Sequence, residues 1–247
     1  MTVSSLVADS NPVEASGTVF RREGWLRVPR LLDRAKVDDL LAATSALERT
    51  AAQFERDTRV RRVFFQVQSE SGRKGEPAIF AGALRKITSP SSGQPAFDRL
   101  RRDPEILAAI ESCGLARPQC LIDQVNFKLP RIGSGFPFHQ DESFLFGDAL
   151  RRVQRFGGVN LVIALDPSDS DNGGFEVLGR THTGPLLDAA YDTSTANAGV
   201  FDESRRVLAP LSPGDALLFH PRLAHGSGPN RSDRPRRLIT LWFGGGA

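Results

Sequence analysis

The chain is poor in the residues that would mark several kinds of protein. Two cysteines in 247 residues, Cys113 and Cys120, form neither a CxxC pair nor an even, spaced set, so the sequence offers no disulfide framework. That economy reads as a reducing compartment. With no charged-then-apolar leader at the N-terminus, the expectation is a cytoplasmic protein. No apolar run approaches the roughly 18 residues needed to span a bilayer. Charge of neither sign dominates: 32 Lys plus Arg against 29 Asp plus Glu gives a net charge of +3, too little for a nucleic-acid footprint. Basic runs at Arg59, Arg61 and Arg62, and at Arg231, Arg234, Arg236 and Arg237, lack the interleaved aromatics of a single-strand stacking platform. The expected partner is a small molecule rather than nucleic acid or membrane, and a monomer and a homodimer both fit.

No internal repeat and no long low-complexity linker divides the chain. Residues 1–17 are expected to be a flexible leader and residues 18–247 a single domain. Its first half is helical. Gly24 to Pro29 reads as a short strand; Asp33 then caps a helix whose Val37, Leu40, Leu41, Leu47, Ala51 and Phe54 recur at helical spacing. A second helical stretch starts near Pro95, restarts at Asp103-Pro104 and ends at Gly114.

From Gln119 the pattern alternates, with Leu121, Val125 and Phe127 on one face and Gln124, Asn126 and Lys128 on the other. Short strands follow over 136–141, 158–165, 175–178, 206–211, 216–220 and 238–243. The fold class is mainly β with flanking helices: a double-sheet jelly roll, or double-stranded β-helix of cupin-like form, with an N-terminal helical buttress. An open sandwich shares the pattern.

Histidine is scarce too, at 139, 182, 220 and 225 only. In His139-Gln140-Asp141, residues two apart on an extended strand project from one face, so imidazole and carboxylate can reach one metal ion. A second histidine from another strand would complete the two-His, one-carboxylate triad of non-haem Fe(II) sites. Spacing alone leaves His220 and His225 as rivals for that place.

Phe138-His139-Gln140-Asp141, Ala164-Leu165-Asp166 with Asp171-Asn172-Gly173, and His225-Gly226-Ser227 with Arg236 together resemble the phytanoyl-CoA dioxygenase family of Fe(II)- and 2-oxoglutarate-dependent oxygenases, from about Phe20 to Phe243. The resemblance implies that His139, Asp141 and His225 hold Fe(II), His225 rather than His220 because Gly-Ser follows it. It also implies that Arg236, assisted by Ser227, holds the distal carboxylate of 2-oxoglutarate, a bidentate task suited to a guanidinium. Arg237 is the alternative if the strand faces the other way. Lys86 and Gln124 match softer co-substrate positions, and His182 matches a turn that is usually structural.

The implied activity uses 2-oxoglutarate and O2 to oxidise, by default to hydroxylate, a small organic metabolite, with natural-product biosynthesis as one setting the family serves, and releases succinate and CO2. Desaturation or epoxidation fits the same site. Asp141 fills the position that halide-transferring relatives leave to a small residue. Glu142 to Asp148 reads as a pocket-lining loop; Arg151, Arg152 and Arg155 after it read first as a solvated face, with an anchor for an acidic substrate group as the alternative. A jelly-roll isomerase or hydrolase without 2-oxoglutarate, and a non-catalytic binding module, are the competing classes; neither gives Arg236 a task.

Overall fold

The structure is a computed structural model that describes residues 16–187 and 202–247. In chain order its elements are α1 (Ser16–Glu23), β1 (Trp25–Val28), α2 (Arg34–Ala51), β2 (Thr58–Val60), β3 (Val63–Val67) and β4 (Leu84–Thr88). There follow α3 (Pro95–Leu100), α4 (Pro104–Ser112), β5 (Gln119–Lys128), β6 (Phe136–His139), α5 (Gly147–Phe156) and β7 (Gly158–Ala164). The remainder is β8 (Phe175–Leu178), β9 (Arg206–Ala209), β10 (Ala216–Phe219), β11 (His225–Ser227) and β12 (Arg236–Gly244).

The strands form an eight-stranded sheet, ordered β1-β10-β7-β12-β5-β4-β3-β2, and a four-stranded sheet, β6-β11-β8-β9. All pairings are antiparallel, and this is the jelly-roll architecture the strand spacing predicts. Residue alternation assigns the faces of the large sheet. Ile239, Leu241 and Phe243 of β12, with Val125 and Phe127 of β5, join the core that packs on α2, α3 and α4. Arg236, Leu238, Thr240 and Trp242 take the other face. There Leu238 and β7's Val162 and Ala164 meet Phe175 and Val177 of the small sheet. Polar chemistry inside the roll thus comes from the second face.

Local chemistry accounts for the helices. The carboxylate of Asp33 accepts from the Lys36 N–H at 2.8 Å and fixes the start of α2, whose Val37, Leu40, Leu47 and Ala51 are buried. Pro95 and Pro104 open α3 and α4, with Asp103 accepting from the Glu105 N–H. Gly114, at φ +95°, turns the chain out of α4.

The structure departs from the sequence reading in several of its elements. Residues 1–15 of the expected leader lie outside the described residues, but Ser16 and Gly17 already belong to α1. Gly17 packs so close to the Ser112 carbonyl that a Cβ there would lie 2.7 Å from it. The segment read as a pocket-lining loop is a 3₁₀ turn, Asp141–Phe144, leading into α5; α5 escapes a periodicity search because its few apolar residues form a narrow stripe between charges. Strands β2, β3 and β4 also went unread, and β4 carries Lys86. Among the described residues no helix is long and apolar enough to cross a membrane.

Candidate metal centre

β6 and β11 are neighbours, and their register sets His139 directly opposite His225. Asp141 does not lie on the strand, as alternation suggested; Gln140 is extended and Asp141 opens the 3₁₀ turn. The outcome for the site is the same: His139, Asp141 and His225 each bring a ligand atom within 4.8 Å of the others. The Asp141 carboxylate lies 3.3 Å from His139 Nε2 and 3.5 Å from His225 Nε2.

The backbone selects which ring nitrogen faces inward. His139 Nδ1 is 2.7 Å from the Pro137 carbonyl, and His225 Nδ1 is 2.9 Å from that of Leu223. In each case the partner is the residue two positions back. A carbonyl can only accept, so Nδ1 carries a hydrogen and Nε2 is the ring nitrogen turned toward Asp141 and the centre, the atom each ring would offer a metal in place of its proton. Burial, then the neighbouring His225, pushes His139 below the usual histidine value against the pull of Asp141, which favours the neutral ligand form. Burial would raise the Asp141 carboxyl, but His225 and His139 outweigh it and hold it well below the usual carboxylate range. Its other oxygen accepts from Asn160 Nδ2 at 2.7 Å. Phe175 stacks on His225 at 5.2 Å, Phe219 lies 4.7 Å from the same ring, and Phe144 meets His139 edge-on at 5.4 Å. Two imidazoles whose Nε2 atoms converge on a carboxylate in an aromatic wall suit a divalent first-row metal, Fe(II) included.

The remaining sequence candidates distribute as follows. Arg236 points into the roll and is 2% exposed; its Nη2 donates to the Gly173 carbonyl at 2.8 Å, and its buried Nε has no partner. An unanswered guanidinium edge of this kind fits a carboxylate ligand. Arg237 faces the helices instead, gripping Asp166 with Nε and Nη2 at 2.8 and 2.9 Å. Gly173, at φ +73°, has no room for a Cβ between the Gly228 carbonyl and Lys128, which explains the Asn-Gly pair noted in the sequence. Ser227 is buried on β11, two residues beyond His225.

Lys86 and Gln124 share the inner face of the large sheet, Lys86 opposite Asn126 and Gln124 opposite Thr240. Burial first, then Arg85, lowers the Lys86 ammonium to about 8 while Asp141 pulls the other way.

His220 lies apart from the triad, its ring beside His182 and Phe20 and its Nδ1 accepting from the Arg222 N–H. His182 Nε2 meets the Arg21 carbonyl of α1 at 3.1 Å. The three arginines offered as substrate anchors are engaged elsewhere: Arg151 pairs with Asp148, Arg152 donates to the Gly245 carbonyl, and Arg155 covers Phe156.

Four contributors had no role assigned in the sequence reading. Asn160 is the one polar side chain in the apolar run Gly158–Ala164, and that was its signal. Lys128 ends the polar alternation of β5. Gln140, between two candidate ligands, uses its amide to bind the Arg222 and Pro185 carbonyls and the Leu187 N–H. Arg85 is buried beside Phe136, its guanidinium 4.1 Å over the ring. Alternation placed Lys128 on the polar face without giving it a task, and neither Gln140 nor Arg85 has a spacing that points to its contacts.

A jelly roll with a two-histidine, one-carboxylate cluster inside it defines a class of metal-centred β proteins. Within that class, the chain belongs to the phytanoyl-CoA dioxygenase (PhyH) family, whose model matches residues 20–238. It is 29% identical over 156 residues to phytanoyl-CoA dioxygenase domain-containing protein 1 of Bos taurus, covering 60% of this chain and 52% of that protein. It is 33% identical over 123 residues to the peroxisomal phytanoyl-CoA dioxygenase of Rattus norvegicus, covering 45% and 34%. The chain spans about half the length of the domain-containing relatives it matches.

Among solved structures, EctD from S. alaskensis with 2-oxoglutarate and 5-hydroxyectoine superposes with a TM-score of 0.74 at 21% identity, over 96% of this chain and 78% of that one. The carbocyclase SnoK from nogalamycin biosynthesis gives 0.71 at 17%, over 95% and 85%. These likenesses establish the fold.

The comparisons correct the cytoplasmic assignment. The matching dioxygenases of Rattus norvegicus and Mus musculus are peroxisomal proteins, which points away from the cytoplasm. Scarce cysteine reports that no disulfide framework is needed; it does not distinguish one compartment from another.

Proposed function

We propose that this chain is an Fe(II)- and 2-oxoglutarate-dependent oxygenase that oxidises, by default hydroxylates, a small organic metabolite. The observation that carries this reading is the convergence of His139 Nε2, Asp141 and His225 Nε2, with both Nδ1 atoms held by backbone carbonyls so that Nε2 is the nitrogen facing the cluster. Residues 16–247 act as one domain, and His139, Asp141 and His225 hold the metal. Arg236, assisted by Ser227, receives the distal carboxylate of 2-oxoglutarate, while Lys86 and Gln124 line its seat.

Bound Fe(II) with 2-oxoglutarate and O2 supplies the oxidation, yielding succinate, CO2 and an oxidised substrate. The protein's own residues position and exclude. His139, Asp141 and His225 would hold the Fe(II), and the metal would supply the activation of O2 with 2-oxoglutarate as co-substrate. Asn160 holds the second Asp141 oxygen and so fixes the carboxylate's rotation. Phe144, Phe175 and Phe219 wall the rings and keep water from them. Arg236 orients the co-substrate through a two-point contact that an ammonium would not reproduce. Secondary metabolism is the setting this reading favours, in line with the enzymes of nogalamycin biosynthesis that share the fold.

The test is release of labelled CO2 from 1-labelled 2-oxoglutarate by the iron-loaded protein in air, across a panel of small metabolites. Stimulated release that needs Fe(II), and is lost in Asp141→Ala, is the expected result. Iron binding with no 2-oxoglutarate consumption under any condition would overturn the proposal.

A further inference from the structure

Lys128 is the last residue of β5 and stands opposite Arg236 of β12, on the same inner face. It is fully buried, at 0% exposure. Its ammonium nitrogen donates to one protein group, the Gly228 carbonyl beyond the His225-Gly226-Ser227 segment. The groups around it are mostly cationic. Arg236 comes from β12, and Arg85 from β4, where it bonds the Ser134 hydroxyl and the Gly135 carbonyl. From β6 the Phe136 ring lies 5.7 Å from the Lys128 nitrogen, and the same ring carries Arg85. Glu176 of β8 is the one acidic group that pulls on Lys128, and it is already paired with Arg206 at 2.5 Å. Among the described residues no carboxylate bonds Lys128, Arg236 or Arg85; Asp166, which pulls on Arg236, is held by Arg237.

Three buried cations without a bonded counter-charge form an unstable arrangement. Guanidinium groups keep their protons at any ordinary pH, whereas an ammonium can shed one. The charge conflict therefore falls on Lys128, and burial, followed by Arg236 and Arg85, lowers it to about 5 against the weak pull of Glu176. In the free protein near neutrality it is an amine that donates to Gly228. A dicarboxylate reaching Arg236 brings the missing negative charge within range of the same nitrogen.

We propose that Lys128 is a positioning residue for the co-substrate and a proton-coupled one: it is neutral in the free protein and takes up one proton from solvent when a dicarboxylate binds at Arg236. The inference rests on the co-substrate seat proposed above. It adds a selectivity that Arg236 alone cannot supply, since a neutral or singly charged keto acid would leave Lys128 uncompensated. No covalent bond changes; one proton leaves the buffer and joins the amine.

The test is anaerobic calorimetry of 2-oxoglutarate binding to the Fe(II)-loaded protein in several buffers of different ionisation enthalpy, between pH 6.5 and 7.5. Lys86, lowered only to about 8, is mostly charged there and can add no more than a fraction of a proton near the upper end of that range. Uptake of about one proton per ligand, with a dissociation constant that rises tenfold per pH unit, is the expected result for the wild type. Lys128→Met should abolish both the uptake and the pH slope while still binding the ligand more weakly; Lys86→Met should retain both. Binding without proton uptake in the wild type overturns the inference and leaves the oxygenase reading intact. Uptake that persists in Lys128→Met also overturns it. Absence of 2-oxoglutarate binding altogether overturns the oxygenase reading and this inference with it.

Discussion

Asn160→Ala is the perturbation that probes the metal centre without touching a ligand. Asn160 and Asp141 are both almost wholly buried, at 2% and 3% exposure, and a 2.7 Å bond joins the amide to the second carboxylate oxygen. A hydrogen bond to a charged group contributes roughly 1.5–3 kcal/mol, which corresponds to a factor of about 10 to 150 in an equilibrium constant. Outer-shell partners of metal ligands typically change metal affinity by about 10–100-fold, so two independent arguments meet. With the amide removed, Asp141 keeps its contacts to both histidines but loses the restraint on its rotation. Fe(II) affinity, measured anaerobically by competition with a chromophoric chelator, should fall by about 10–100-fold. Urea unfolding of the metal-free protein checks that the variant is folded. Unchanged affinity in a folded variant would refute the claim that Asn160 sets the carboxylate's geometry.

Other perturbations read different parts of the architecture. Gly173→Ala forces a Cβ against the Gly228 carbonyl at a backbone φ of +73°, and should lower stability by about 2 kcal/mol or more in denaturant unfolding as well as displacing the carbonyl that seats Arg236. Asp166→Ala breaks a two-point ion pair with Arg237 that is largely sheltered from solvent; a loss of about 2 kcal/mol is expected, with Fe(II) affinity unaffected because the pair faces the helices. His220 is held down to about 4, by burial first and His182 second. The unfolded chain therefore binds the extra proton between that value and about 6.5, and stability should drop by up to about 3 kcal/mol as pH falls through this window. Acid unfolding should show a shallower slope in His220→Asn than in the wild type.

Much of the roll was legible because it depends on local rules. Alternation along Gln119–Lys128 marked both the face that packs on the helices and the face that carries polar groups, and the Asp33 and Asp103 caps gave helix starts to within a residue. The His139-x-Asp141 pair was legible in composition but not in geometry, since Asp141 begins a turn rather than continuing the strand. Strands β2 and β3 and helix α5 were missed for lack of a periodic stripe of sufficient length. Interactions between distant segments were the least accessible. The convergence of Lys128, Arg236 and Arg85 depends on strand order, and the bonds from Gln140 to Pro185 and Leu187 join segments about 45 residues apart in sequence. Lys128 was legible as a polar-face residue, and Asn160 carried a sign of its own, a single amide in an otherwise apolar strand.

The measurement that tests the central claim most directly is an anaerobic absorbance titration of the metal-free protein with Fe(II) and then 2-oxoglutarate. The account predicts a weak visible charge-transfer band of the iron-chelated keto acid in the wild type. The band should be lost in His225→Ala and should require far more 2-oxoglutarate in Arg236→Met. Iron that binds at the triad yet gives no band at saturating 2-oxoglutarate would contradict it.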